Sequence, residues 1–212
     1  MRPSIFIVPF AVVAVACTNT PSGAPDNAAS VRERLSSEEV RLWIAPAELV
    51  GVITAERRAT GTWTGAMVEL GITNGELIVS ADREEISIDS FQLAFTPMQL
   101  PAGLFGSESA VLTGARIDLA HATRAPARWT DDNAATFTAA LELDMHWTLA
   151  LDGAPVPLGA PALPPVPVEV TLTGDGEIVD AELRLHAAGE LWNWAGLVRL
   201  SELQLGVEAS LR

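Results

Sequence analysis

Apolar and polar residues alternate without a break from Thr136 to Leu151, the longest regular pattern in the chain. A β-strand turns successive side chains to opposite faces, so this alternation predicts one strand with an apolar face and a polar face. We expect such a long strand either to bend across two sheets or to line an elongated groove. The apolar row is Phe137, Ala139, Leu141, Leu143, Met145, Trp147, Leu149 and Leu151.

Shorter alternating segments, separated by turn residues, extend the pattern along the chain. Thr73-Asn74-Gly75 predicts a hairpin turn because Asn-Gly tolerates positive φ, and Asp152-Gly153 predicts another turn. The apolar phase slips between Ile88 and Phe91, and a β-bulge near Asp89–Ser90 would return both segments to one face. The whole pattern predicts an all-β fold of about nine or ten strands, arranged as an antiparallel sandwich, half-barrel or rolled sheet.

Four segments depart from this alternation. Val31–Glu39 predicts a short helical turn with Val31 and Leu35 on one side, whereas Arg124–Asn133 reads as a polar connection. Pro97–Gly106 predicts a loop that is unusually apolar. The proline-rich segment Ala154–Pro167 cannot pair as a central strand, so we expect it to run extended at a sheet edge.

The N-terminal residues have the composition of an export signal. Arg2 precedes the apolar segment Ile5–Ala16, which ends in small residues directly before Cys17. This run is shorter than the roughly 20 residues that a membrane-spanning helix needs. Cys17 is the only cysteine, so it cannot form an internal disulfide. We therefore expect residues 1–16 to be a secretory signal peptide.

The residues Ala14-Val15-Ala16-Cys17 resemble the lipobox of bacterial lipoproteins, although that family usually has leucine where this chain has Ala14. The resemblance implies cleavage before Cys17, a diacylglyceryl group on its Sγ atom, and acylation of the new amino group. Thr18 in the next position resembles the residue choice of outer-membrane cargo in the enterobacterial sorting rule. The implied location is the bacterial cell envelope, with a membrane anchor at Cys17 and the outer membrane as the expected destination.

Three regions follow from this division of the chain. Residues 1–16 are the signal peptide, residues 17–38 are the lipidated cysteine and a flexible tether, and residues 39–212 are a single all-β domain. Thr18–Ser30 is rich in small, polar and proline residues that cannot build a core. A flexible chain of this length has an end-to-end distance of roughly 20 Å, which would keep the domain close to the membrane.

Composition agrees with a folded domain and limits its partners. The chain has 212 residues, of which 49% are apolar and 19% charged. Its net charge is −14, with 27 acidic residues against 13 basic ones, and Arg57–Arg58 is the only adjacent basic pair. Because no basic stripe exists, nucleic acids and anionic lipid headgroups are poor partners for this surface.

No motif for catalysis, a cofactor or a metal is present, and we predict a non-catalytic protein. His146 and His186 could meet if their strands are neighbours, but a metal site would also need ligands such as Asp144 or Glu182. Glu142 and Asp144 have the spacing of paired catalytic carboxylates, but any two acidic residues at alternate positions on a solvent-exposed strand face have the same spacing. Solvated surface residues account for all of these side chains.

Two kinds of binding remain open. Trp192 and Trp194 lie two residues apart and could stack on sugar rings of a polysaccharide or peptidoglycan, or cap the core. Alternatively, the long apolar row with Trp147 could line a groove for lipid acyl chains, with Phe105 in the apolar loop as a lid. A fully packed interior is the simplest alternative, and an envelope hydrolase is a third possibility. The leading prediction is a lipid-anchored binding or scaffolding module, with an apolar lipid groove as its specific form.

Overall fold

A computed structural model describes residues 29–57, 62–100, 102–103, 107–156, 164–175, 179–193 and 196–210. For residues 48–57, 62–70, 185–193 and 196–208 the backbone alone is described. One short helix, α1 (Val31–Ser37), precedes the strands. The strands are β1 (Val40–Ile44), β2 (Ala47–Arg57), β3 (Thr62–Asp82), β4 (Glu85–Phe95), β5 (Met98–Leu100), β6 (Ala110–Leu119), β7 (Thr123–Asp131), β8 (Ala134–Leu141), β9 (Leu143–Leu151), β10 (Ala154–Val156), β11 (Val166–Gly174), β12 (Val179–Asn193) and β13 (Gly196–Ser210).

The strands form an antiparallel sheet that closes on itself through eight strands. The ring runs β3, β2, β13, β12, β11, β8, β7 and β4, and β4 pairs again with β3. At two places a pair of successive strands lies along one edge of a longer strand. β1 and β2 both pair with β3, and β6 and β7 both pair with β4. The chain therefore goes up and down around the ring, and β13 closes it on β1 and β2. The predicted all-β fold is confirmed in its rolled form.

Glu142 interrupts the long alternating segment and divides it into β8 and β9. β8 pairs with β7 and β11 in the ring, whereas β9 pairs with β6 and β10. The Glu142 carbonyl accepts a hydrogen bond from the Ala120 N–H at 2.9 Å. Leu141 and Leu143 are both buried while Glu142 is exposed, so the alternation of faces continues through the interruption. The predicted two faces are confirmed, and the predicted single strand is wrong at this one residue.

A β-bulge at Asp89 brings both apolar segments of β4 to the inside. Asp89 is the extra residue between two cross-strand pairs, Val79–Ile88 and Ile78–Ser90. The predicted bulge is therefore confirmed at the predicted place. The residues of β4 that it buries are Ile86, Ile88, Phe91 and Leu93.

The Asp89 side chain also holds two serine hydroxyls. Ser80 and Ser87 each donate a hydrogen bond to its carboxylate at 2.6 Å, and Ser87 is only 6% exposed. Asp89→Ala would leave both donors without this acceptor, so we expect the free energy of unfolding to fall by about 2 kcal/mol. Asp89→Asn keeps a carbonyl acceptor and should lose less. Urea unfolding of the three proteins measures this, and equal midpoints would contradict it.

Asn74-Gly75 does not form the predicted turn, because β3 continues through it from Thr62 to Asp82. Gly75 pairs with Ile44 of β1 on one side and Leu93 of β4 on the other. A Cβ atom at Gly75 would lie 2.7 Å from the Gln92 carbonyl oxygen and 3.0 Å from the Ile44 Cβ. The glycine therefore permits a close approach of neighbouring strands, and it does not have positive φ.

Helix α1 packs against the ring near the turn between β7 and β8. Ser30 caps it through a capping box with Glu33, which fixes the start of the helix. Val31 and Leu35 are 0 and 1% exposed and belong to the same core as the strands. The predicted helical turn is confirmed, and the folded unit includes it, although the division by sequence placed residues 17–38 with the anchor and tether.

Strands β5, β6, β9 and β10 form a side sheet that branches from β4. β6 contacts β4 only over Gln92–Ala94. Among the described strands, β5 pairs only with β6, and β10 only with β9. The Thr96 N–H donates to the Gly71 carbonyl at 2.7 Å, where β4 separates from the N-terminal half of β3. Beyond that point no described strand is hydrogen-bonded to both the side sheet and β3, although β5 lies close beside β3.

Two segments differ from the predicted connections. The expected apolar loop Pro97–Gly106 contains β5, whose Met98 and Leu100 are buried in the core. The expected polar connection at Arg124–Asn133 is mostly strand β7, whose inward side chains include the small Ala125. In contrast, Asp152-Gly153 forms the predicted turn, with both residues at positive φ, and β10 lies at a sheet edge as predicted.

Candidate functional site

The inner face of the side sheet is apolar but incompletely covered. Residues that pair directly across neighbouring strands share a face, so the pair Ile117–Met145 lies on the same side as Leu112–Leu149. Four of the inward side chains pack against the core yet remain only partly buried. They are Leu119 on β6 and Met145, Trp147 and Leu151 on β9.

The ring interior differs from this face. A closed sheet of about eight strands has an interior that side chains just fill, or that holds one small ligand. Around α1 it is filled, because inward residues such as Leu42, Leu77 and Val170 are 0% exposed. The part of the ring around α1 is therefore packed, whereas the inner face of the side sheet carries side chains that remain partly exposed.

A bulge in β6 stands opposite Trp147. Thr113 pairs with Thr148 and Arg116 with His146, which leaves the residues between them facing Trp147. One of these is Gly114, which has a φ of 61° and no atom within 4 Å of where its Cβ would be. The bulge therefore contributes little side-chain volume next to the indole. Sequence reasoning did not single out Gly114, although a glycine inside an alternating strand often indicates a bulge.

The Trp147 indole N–H is a buried donor that has no acceptor among the described residues. The residue was predicted as a candidate ligand contact, and the structure places it on the inner face of β9. Buried tryptophan N–H groups usually have a partner, and an unsatisfied buried donor costs about 1–3 kcal/mol. Such an orphaned donor needs an explanation, and an acceptor from outside the chain would provide one.

Trp129 has a similar orphaned N–H but a different setting. The Arg32 guanidinium lies 5.1 Å from the centroid of its ring, and the Arg32 backbone N–H donates to the Asp132 carbonyl at 3.0 Å. Val31 adds a hydrogen bond to the Asn133 side chain at 3.1 Å. The chain itself therefore covers Trp129, and this residue fixes helix α1 in place.

On the outer face, Asp118 is the centre of a polar cluster. Its carboxylate accepts hydrogen bonds from Gln92 Nε2 at 2.7 Å and from Arg116 Nε at 2.6 Å, and His146 Nε2 lies 3.5 Å away. These contacts cross the short β4–β6–β9 junction. Because an arginine and an amide on different strands hold the carboxylate, the cluster stabilises the branch point.

The two histidines predicted as possible partners do not lie on neighbouring strands. His146 is on β9, between β6 and β10, whereas His186 is on β12, between β11 and β13. Glu182 pairs instead with Arg184 at 2.8 Å, and this contact raises the pKa of the Arg184 guanidinium, first by hydrogen bonding and then by charge. Among the described residues, no three histidine, cysteine, aspartate or glutamate side chains could hold a metal ion.

The acidic pair predicted from spacing lies at the strand interruption, on one exposed face. Glu142 is between β8 and β9, while Asp144 is within β9 and pairs with Asp118 of β6. Glu142 and Asp144 are both exposed, and neither lines an enclosed space in the described part of the chain. Nothing in this arrangement supports the third possibility, a hydrolase using this pair.

Several predicted site residues lie outside the part of the chain whose side chains the structure describes. Cys17, Phe105 and Trp194 are not among the described residues, and for Trp192 only the backbone is described, paired with Leu197. The glycan interpretation therefore stays a prediction from sequence.

In the described part of the chain, no helix has the length and apolar character needed to cross a bilayer. Comparisons with protein-family models, curated proteins and solved structures find no match to this chain.

Proposed function

We propose that this protein is a lipid-anchored, non-catalytic binding module of the bacterial cell envelope that shelters lipid acyl chains against the inner face of its side sheet. The observation that carries the proposal is the partly buried, inward-facing Trp147 with its orphaned N–H. Met145 and Leu151, which lie in the same row of β9 and are also partly buried, extend the apolar surface on either side of it. Acyl chains would cover this surface and gain the free energy of apolar burial.

The edges of the side sheet give a lipid a route to this face. β5 and β10 each have one edge that no described strand pairs, and β3 separates from β4 beyond the hydrogen bond between Thr96 and Gly71. Because β5 lies close beside β3, a long chain would enter along the unpaired edge of β10, without opening the packed ring. This is the feature that distinguishes the side sheet from the part of the ring around α1.

The anchor predicted at Cys17 supports the same function. The described chain begins at residue 29 and leads directly into α1, which packs against the ring near the turn between β7 and β8. The tether predicted from the sequence, Thr18–Ser30, would hold the domain within roughly 20 Å of the bilayer. The domain would then remain close to its source of lipid, and its acidic surface would not adhere to anionic headgroups.

The test is to purify the full-length protein from membranes and identify lipids released by organic extraction. We expect one lipid class to be enriched over the surrounding membrane. In Trp147→Ala, retention of that class should fall about fivefold or more, because apolar contact and a donor are both lost. The matched control is Trp43→Ala, since Trp43 is 41% exposed and lies on β1 outside the side sheet. Extracts that match the bulk membrane in all three proteins would contradict the proposal.

A further inference from the structure

We infer that the ligand at Trp147 is an uncharged lipid that presents an acceptor oxygen, such as an ester or ketone carbonyl, to the indole N–H. This inference rests on the proposed function and adds the chemical class of the ligand. It comes from two observations: the kind of hydrogen-bonding group that is left orphaned, and the charge of the surface around it.

The first observation concerns the donor. An indole N–H only donates, so it selects a ligand with an acceptor and gains nothing from a hydroxyl used as a donor. The Trp147 Nε1 atom is buried although the residue as a whole is only partly buried. A pure hydrocarbon would cover the remaining apolar surface but leave the N–H unsatisfied. A lipid with a carbonyl oxygen at this level would satisfy it.

The second observation concerns charge. Among the residues whose side chains are described, Ser87 is the only polar or charged one that is buried, and it is already bonded to Asp89. The side sheet contains one arginine, Arg116, and its guanidinium is paired with Asp118 at 2.6 Å in the outer-face cluster. An ionised carboxylate or phosphate beside Trp147 would therefore lose its hydration without a described cation to pair with. The inner face thus favours a neutral ligand over a free fatty acid.

The experiment uses three probes with matched chains: methyl dodecanoate, dodecane and, at pH 8, dodecanoate. Each is titrated into the full-length protein in a non-ionic detergent at equal mole fraction, with the tryptophans labelled with ¹⁵N. The indole ¹⁵N–¹H signal of Trp147 is assigned by its loss in Trp147→Phe. The control is Trp43→Phe, which removes the exposed indole of β1 and leaves the side sheet unchanged.

We expect the methyl ester to shift the Trp147 indole proton downfield and to bind about fivefold more tightly than dodecane, as one added hydrogen bond implies. In Trp147→Phe the ester should bind no better than dodecane, and Trp43→Phe should behave as the wild type. Equal binding of all three probes, or tightest binding of dodecanoate, would overturn the inference and leave the proposed function standing. No binding of any probe would overturn the proposed function as well.

Discussion

Replacing Cys17 with serine is expected to release the protein from the membrane fraction almost completely. The lipobox resemblance assigns the thiol of Cys17 as the atom that carries the diacylglyceryl group, and a serine hydroxyl is not a substitute in that thioether chemistry. Each buried CH₂ group contributes about 0.8 kcal/mol, so two or three acyl chains give a stable anchor and none leaves only weak surface contact. The surface does not compensate, because its net charge is −14.

Intact-mass analysis of both proteins, together with membrane fractionation, measures this effect. The wild type should carry a diacyl or triacyl mass increment and begin at Cys17, and Cys17→Ser should carry neither the increment nor that cleavage. Thr18→Ala is the matched control, since it changes the adjacent residue and keeps the thiol. An unmodified, soluble wild-type protein that begins at another residue would contradict the lipoprotein prediction and remove the envelope location from the proposed function.

Alternation predicts which face of a strand is buried, but it does not predict where the strand is interrupted. At Asp89 the apolar phase slips, so the sequence itself indicates a bulge, and the structure has it there. At Glu142 the phase does not slip, because Leu141 and Leu143 are both buried. The interruption comes instead from a change of partners, from β7 and β11 to β6 and β10. Long-range pairing of this kind leaves no mark in the local sequence.

Two of the misread segments have local signals that tertiary contacts override. Asn74-Gly75 is a turn signal in isolation, but β1 and β4 pair with β3 on both sides of it and hold it extended. In Arg124–Asn133, Arg124, Pro126 and Arg128 mask an alternation whose inward residues include Ala125 and Trp129. Small inward residues bury little area, so their pattern resembles a polar connection.

Only part of the candidate site could be predicted from the sequence. Trp147 could be placed on an apolar row by alternation alone, and the structure puts it on the inner face of the side sheet. That its N–H lacks an acceptor depends on which groups the neighbouring strands bring beside it, and none of the described residues accepts from it. Those are properties of strand order and register, which the sequence of β9 does not contain.

Gly75→Ala is expected to lower the free energy of unfolding more than any other substitution considered, because atoms of both β1 and β4 surround the new methyl group. Its carbon would lie 2.7 Å from the Gln92 carbonyl oxygen, 2.7 Å from Leu93 Cδ2 and 3.0 Å from Ile44 Cβ. The first of these atoms is backbone, so a change of rotamer cannot relieve the contact, and β1 or β4 must shift. We expect the free energy of unfolding to fall by about 3 kcal/mol, at the upper end of overpacking effects.

Gly71→Ala is the matched control for this prediction, since it is in the same strand and also has close neighbours. The atoms near its new carbon all belong to the Thr96 side chain, the closest being Oγ1 at 2.6 Å. Because that side chain can rotate or be removed, Gly71→Ala should lose about 1 kcal/mol, and adding Thr96→Ala should recover most of it. Chemical unfolding of each full-length variant measures the differences. An equal loss at both glycines would mean that the close packing of β1, β3 and β4 around Gly75 is not what makes this position intolerant.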